Sequence, residues 1–314
     1  MTSVTNEPLK GEKIKFSEDG MDFEYMAVNG IGFPNFPAFL TPESSVKRVE
    51  EIRSLDFRPD DIILATYPKC GTHWTNEILN MLVRQQADYH KLPKATFMLE
   101  LVPNIDLTRN IASPRVLNTH VMYEWLPRQH IENGGKIVHV TRNPKDAYVS
   151  YFYHSKKSLE HGPETKDMSW TQFFNSCILQ QRDLCYFYVL TIFSNTLYLN
   201  LFFLQDPIKE ITALGDFLGI KMTDELSKEI AEKCNFENLK KADQEVKEIP
   251  KELMAEFMKF RKENAFKGEM PQIYRKGIVG DWKNMFTVAQ NEQFDKMFNE
   301  EMRDIDLDVV FKIN

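Results

Sequence analysis

Apolar residues in this chain fall into short unbroken runs separated by stretches of helical period. Ile62 to Tyr67 (IILATY) and Lys136 to Thr141 (KIVHVT) read as strands, since a strand covered on both faces shows a continuous apolar run rather than alternation. Val116-Leu117, ahead of His120, suggests another short strand, and residues 197–204 a fourth. The intervening segments change period. After Gly71, Trp74, Ile78, Met81 and Leu82 share one helical face, and from Asp146 a helix turns Val149 and Tyr153 inward. Ile208 to Leu218 is a helix ended by Gly219, and Asp224 to Lys233 and Lys251 to Lys262 are further amphipathic helices. Strands alternating with helices predict an α/β fold, with a central parallel sheet flanked by helices. Residues 1–57 are loosely patterned, with NGIGFPNFPAFLTP reading as loop and turns.

One apolar run is longer. Leu184 to Leu204 (LCYFYVLTIFSNTLYLNLFFL) carries no charged residue and meets the length of a membrane span. Ser194-Asn195-Thr196 and Asn200 interrupt it, and Asp183 and Asp206 flank it without a basic bias. A buried helix, a turn and a buried strand fit that pattern better, so no membrane span is expected.

Composition narrows the partners. A chain of 314 residues with 42% hydrophobic and 27% charged residues is built like an ordinary soluble globular protein. Its net charge of −7 argues against nucleic acid as the main partner. An anionic ligand must therefore be met by a local cluster of cations. Cys70, Cys177, Cys185 and Cys234 are widely separated and form no CxxC, which fits a reducing, cytoplasmic compartment. The opening MTSVTNEPLKGEKIKF has no apolar core of the kind a signal peptide needs.

Three segments carry the candidate chemistry. The first, YPKCGTHW at residues 67–74, follows a strand and opens a helix. A glycine lets backbone approach an anion closely, and the first N–H groups of a helix favour negative charge. Lys69 adds a full positive charge, yet GxxxxGK[ST] is absent, so a phosphate-type group is expected without the usual ATP and metal apparatus. Cys70 reads as a loop residue lending its backbone N–H rather than as a nucleophile, since no paired acid or cysteine-enzyme pattern surrounds it. The second segment, RNPKDAYVS, places Arg142 at a strand end and Ser150 in the following helix, a guanidinium fork and a hydroxyl for a phosphate. In the third, RKGIVGDWKNMF, two adjacent cations precede Gly277.

Together, Tyr67-Pro-Lys-Cys-Gly-Thr-His-Trp74, Arg142-Asn-Pro-Lys-Asp146 with Ser150, and Arg275-Lys-Gly-Ile-Val-Gly-Asp-Trp-Lys-Asn284 resemble the motif blocks of cytosolic sulfotransferases. The resemblance runs in order from about Arg58 to the C-terminus. It implies a single α/β domain over residues 58–314 with a P-loop-like phosphosulfate-binding loop, the segment 1–57 packing against it. It further implies transfer of a sulfuryl group from 3′-phosphoadenosine 5′-phosphosulfate (PAPS) to a hydroxyl or amine of a small acceptor, such as a phenol, alcohol, steroid or amine, with no metal required. By position, Lys69, Cys70, Gly71, Thr72, His73 and Trp74 would hold the 5′-phosphosulfate, Trp74 also lying near the adenine. Arg142, Ser150, Arg275, Lys276 and Gly277 would hold the 3′-phosphate, and Cys234, Phe236 and Leu239 would line the adenine. His120 matches the family's catalytic histidine, a natural base near neutral pH, and Lys69 would neutralise charge growing on the leaving phosphate. Lys283, Thr287, Val288 and Glu292 match a short pairing motif, which implies a homodimer.

Some positions depart from the family pattern. Asn118 stands where many relatives carry a lysine, and His73 where threonine is commoner. Leu201 falls where the family has a tyrosine near the adenine, and a leucine supplies no phenolic hydrogen bond. That loss motivates a competing expectation, a weakly active or inactive PAPS-binding homologue. A nucleotide kinase on a related scaffold is disfavoured by the missing GK[ST]. Phe97, Tyr151, His154 and the segment 245–274 are the candidate acceptor-pocket residues.

Overall fold

The computed structural model describes residues 8–18, 21–33, 39, 41–90, 92, 97–157, 167–180, 196–200, 206–244, 255 and 273–303. Four strands form the central sheet: β4 (Ile62–Thr66), β5 (Val116–Thr119), β6 (Lys136–Thr141) and β7 (Thr196–Asn200). Their order is β5-β4-β6-β7, every pair parallel. The chain leaves β4 to build β5 on one side and then crosses to build β6 on the other. β4 is thus the switch point, where open parallel sheets leave a crevice beyond the strands' carboxyl ends.

The continuous apolar runs follow from cover on both faces. Ile63, Ala65, Leu117 and Ile137 point into one cluster with Val49 and Ile52 of α1 (Pro42–Arg53) and with Phe33, Phe39 and Trp125. Ile62, Leu64, Val116, Val138 and Val140 point to the other face. There they meet Ile78, Leu79, Met81 and Leu82 of α2 (Thr72–Arg84), whose full burial stabilises by about 1.5–3 kcal/mol each. Helix α3 (Arg128–Glu132) precedes β6, and α4 (Pro144–Lys157) follows it. The short α5 (Trp170–Phe173) joins α4 in a third, aromatic cluster with Phe294 and Phe298. Further α-helices are α6 (Pro207–Leu218), α7 (Asp224–Lys233), α8 (Phe236–Gln244) and α9 (Val288–Glu301). This is the expected α/β arrangement, with Gly219 capping α6 as the pattern predicts.

The N-terminal reading needs correction. The loosely patterned stretch holds an antiparallel sheet of β1 (Gly11–Glu18), β2 (Met21–Val28) and β3 (Ile31–Phe33), followed by α1. Asn29 and Gly30 form the β2–β3 turn with φ of 50° and 79°, the two positive values of a type I′ hairpin. Alternation is obscured because Lys13 and Lys15 of β1 both reach Glu24 of β2, at 2.6 and 3.4 Å. Charge pairs of that kind stabilise a strand face without making it apolar. Residues 184–195, Leu201 and most of 245–274 lie outside the described residues, as does the expected helix at 251–262. Of the expected strand at 197–204, the described part pairs with β6 from Thr196 to Asn200. Among the described residues, no helix is long and apolar enough to cross a membrane.

The amino ends of β4 and β5 are pinned by a buried ion pair. Arg115 donates from Nε to Asp61 Oδ1 at 2.7 Å and from Nη2 to Oδ2 at 2.5 Å, with both side chains no more than 3% exposed. Removing one partner of such a pair leaves an uncompensated buried charge. Arg115→Met is therefore expected to lower stability by about 3–5 kcal/mol in urea unfolding; a change under about 1 kcal/mol, typical of an exposed pair, would contradict this role.

Candidate functional site

The loop after β4 sits at the switch point. Thr66 ends the strand, Lys69 and Gly71 adopt φ of 67° and 102°, and α2 starts at Thr72. A left-handed lysine costs on the order of 1 kcal/mol and persists only where neighbours fix it. Here Arg142 donates from Nη1 to the Lys69 carbonyl at 2.9 Å, and Lys69 Nζ lies 3.4 Å from His154 Nδ1. The Cys70 N–H donates to the Tyr67 carbonyl at 3.1 Å, and the Thr66 and Thr72 hydroxyls meet at 2.5 Å. No side chain caps α2 at Gly71, so its first turn presents backbone N–H groups and the positive end of the helix dipole to the crevice. Cys70 is wholly buried and in no disulfide, and its N–H is spent on closing the turn to Tyr67.

His120 follows β5 directly. The register pairs Ala65 with Thr119, so Thr66 and His120 come side by side at the strand ends. His120 Nδ1 lies 2.6 Å from the Thr66 carbonyl oxygen. A carbonyl only accepts, so Nδ1 carries the proton and Nε2 is the acceptor nitrogen of the neutral ring. Burial lowers the His120 pKa below the usual histidine value and the Lys69 charge adds to this, while Glu100 and the Thr66 carbonyl oppose it. The imidazole is therefore neutral at pH 7. Two residues earlier, Asn118 is fully buried, and its Oδ1 accepts from Asn76 Nδ2 at 3.1 Å. A neutral amide paired to α2 therefore stands two residues before the histidine.

Helix α4 joins the first loop to the third segment. Asp146, in its first turn and 1% exposed, accepts from the backbone N–H groups of Gly280 (2.7 Å) and Trp282 (3.0 Å). Arg275 lies over the Tyr153 ring at 4.6 Å, and His154 beside it reaches Lys69. Ser150 lies one turn earlier, on the face that carries both contacts. Arg275 and Lys276 both donate to the buried Asp281, at 2.5 and 2.8 Å. Burial alone would raise the Asp281 pKa, but hydrogen bonds from Lys276, Arg275 and Asn284 outweigh it and hold the carboxyl at about 2. Two cations and one carboxylate leave this cluster net positive at neutral pH.

Gly277 has a φ of 66°, and a Cβ there would stand 2.2 Å from the Phe236 ring. This close approach brings the third segment against the start of α8. Phe236 also meets Tyr274 edge-on at 6.1 Å between centroids. Cys234 and Leu239 are buried in the cluster against which Trp74 packs, with Cys234 Sγ 3.7 Å from Met81 Sδ. The structure thus gathers Lys69 to Trp74, His120, Arg142 and Ser150 around the switch point. Arg275, Lys276, Gly277 and Phe236 form an adjoining group. Of the acceptor-pocket candidates, Phe97 is buried edge-on to His90 at 4.6 Å, and Tyr151 packs on Phe173 at 6.0 Å. His73, in the first turn of α2, is half-buried.

The profile of the sulfotransferase domain family matches residues 59–306. The chain belongs to the sulfotransferase family. Among curated members, it is 31% identical over 274 residues to mouse sulfotransferase 1 family member D1, covering 81% of this chain and 87% of the relative. Cytosolic sulfotransferase 1 of Danio rerio is 29% identical over 280 residues, covering 81% and 86%. Among solved structures, mouse sulfotransferase SULT7A1 complexed with PAP superposes with a TM-score of 0.59 at 26% identity, covering 93% of this chain and 96% of that one. Retinol dehydratase in complex with androsterone and inactive cofactor PAP gives 0.64 at 20% identity, covering 95% and 91%, a likeness of fold.

Four residues of this sulfotransferase site escape sequence reasoning. Asp146 and Asp281 lie inside quoted motifs, but their roles as loop anchors depend on partners 134 residues and 5–6 residues away. Glu100, whose carboxylate accepts from the His120 N–H, and Arg48, which holds Glu100's turn through the Leu99 and Val102 carbonyls, lie in segments without a chemical pattern. The Asp281 linkage gives a test. A carboxyl depressed from 3.8 to about 2 lends stability that is complete above pH 4 and lost as pH falls through 2. Asp281→Asn is expected to flatten the acid-unfolding curve between those values and to lower stability at pH 7; an unchanged acid limb would contradict the pairing.

Proposed function

We propose that this family member transfers the sulfuryl group of PAPS to a hydroxyl or amine of a small acceptor, with His120 as general base. One observation carries the reading. Lys69, His120 and Arg142 converge at the carboxyl ends of three adjacent parallel strands, with His120 fixed in the tautomer that leaves Nε2 as acceptor. The residues fit a cofactor with anions at two ends: Lys69 and the first turn of α2 at one, Arg142, Ser150, Arg275, Lys276 and Gly277 at the other. Trp74 and Phe236 both pack against the cluster that holds Cys234 and Leu239, which supports an adenine position beside them. A mouse relative complexed with PAP supports the same cofactor type.

When bound, PAPS supplies the sulfuryl group and a phosphate that leaves. His120 Nε2 accepts the acceptor's hydroxyl or amine proton while Nδ1 stays donated to Thr66, so the imidazolium is stabilised where it forms. Lys69 Nζ supplies positive charge beside the leaving phosphate. We further read residues 58–314 as the transferase domain, with 1–57 packed on it through Val28, Phe33 and Val49. A homodimer through Lys283–Glu292 is supported by Val288, 75% exposed at the start of α9. The cytoplasmic assignment is supported by the name of the Danio rerio relative.

His120→Ala is expected to cut kcat by about 10²–10⁴-fold while PAP binding, measured by calorimetry, is unchanged. Turnover near wild type would exclude His120 as the base. In the wild type, activity should hold at neutral pH and fall only as pH drops through a pKa below the usual histidine value. An acid limb above pH 7 would contradict that assignment.

A further inference from the structure

Glu100 is fully buried in the turn that runs along the outer edge of β5. Its Oε1 accepts from the Thr119 hydroxyl at 2.7 Å and from the His120 backbone N–H. The Thr119 hydroxyl in turn accepts from the Val121 N–H at 3.1 Å. One carboxylate oxygen therefore holds the side chain immediately before the histidine and the histidine's own N–H. Carboxylates buried to this degree are rare unless they are paired or perform a task.

The turn is itself held from the N-terminal region. Arg48 of α1, 6% exposed, donates from Nη1 to the Leu99 carbonyl at 2.8 Å and the Val102 carbonyl at 2.7 Å. Its Nη2 reaches the Pro103 carbonyl at 3.3 Å, and its Nε pairs with Glu51 at 3.0 Å. On the β5 side, the Leu99 N–H donates to the Asn118 carbonyl at 2.9 Å. Glu100 is thus fixed between α1 and β5, and its Oε1 is spent on Thr119 at the end of β5 and on His120 just after it.

We propose that Glu100 is a positioning residue for His120, a buried carboxylate that anchors the histidine's backbone and holds a negative charge behind its imidazole. The proposal rests on His120 being the base. Two charged groups act on the imidazole: Glu100, which favours its protonated form, and Lys69 across the site, which disfavours it. Arg48, which holds the turn, also places positive charge near Glu100. Glu100 therefore offsets part of the loss in basicity that burial and Lys69 impose, and does so without touching the acceptor or cofactor.

The test titrates the His120 imidazole by NMR in the free protein, which requires no turnover and is independent of the proposed reaction. Glu100→Gln keeps an oxygen for both hydrogen bonds but removes the charge. It is expected to lower the His120 pKa by about 0.5–1 unit, and to move the acid limb of kcat/KM to lower pH by the same amount. Glu100→Asp keeps the charge and is expected to leave the pKa near wild type. A Gln variant that titrates with the wild type would overturn the proposal, even if it were less stable. In the unmodified protein, the His120 amide proton should be shifted downfield and exchange slowly; an ordinary, fast-exchanging amide would overturn it equally. If His120→Ala retained turnover while Glu100→Gln still moved the pKa, the fault would lie in the reaction and not in the anchoring.

Discussion

The site depends on the parallel register of β4 against its two neighbours. Ile62 opposes Val116 on one side and Lys136 on the other. At the far end this brings Thr66 beside His120 and the Lys69 loop beside Arg142. A one-residue slip would invert every side chain and move the Thr66 carbonyl from His120 Nδ1. The register is enforced at the opposite end, where Arg115 and Asp61 pair and the Ile62 N–H donates to the Arg115 carbonyl at 2.8 Å. Stability and chemistry are thus separated along the same strands, with the buried ion pair at the amino ends and the polar site at the carboxyl ends.

The charge balance follows the same economy of placement. A chain with a net charge of −7 gathers Lys69, Arg142, Arg275 and Lys276 around one crevice. Each is fixed by a named group: Lys69 through its carbonyl by Arg142, and the Arg275-Lys276 pair by Asp281. Asp146 ties the backbone of that pair's loop to α4, so the two cationic groups share one rigid helix. At these short distances the local field outweighs the diffuse charge of the surface, which salt screens within about 8–10 Å.

How much was legible in the sequence follows from what each segment contacts. Strands β4 and β6 could be read because cover on both faces leaves a continuous apolar run. Helix α6 could be read from its period and Gly219. The N-terminal sheet could not, since its pairs Lys13–Glu24 and Lys15–Glu24 make strand faces that look like solvated loop. Of the site, the cationic loop residues stood out by residue type, whereas His120 stood out only through the family resemblance. Glu100 and Arg48 did not. Their hydrogen-bond partners lie 19–55 residues away, and only the folded chain shows a carboxylate spent on one hydroxyl and one backbone N–H. Asn118 was visible as a departure, but its pairing with Asn76 of α2 was not.

The claim of sulfuryl transfer is tested most directly by incubating the wild-type protein with PAPS labelled in the sulfuryl group and a mixture of phenols, alcohols, steroids and amines. Label moved onto at least one acceptor, with PAP formed in equal amount, is the expected result. PAP binding at the site with no label transferred to any acceptor class would contradict it.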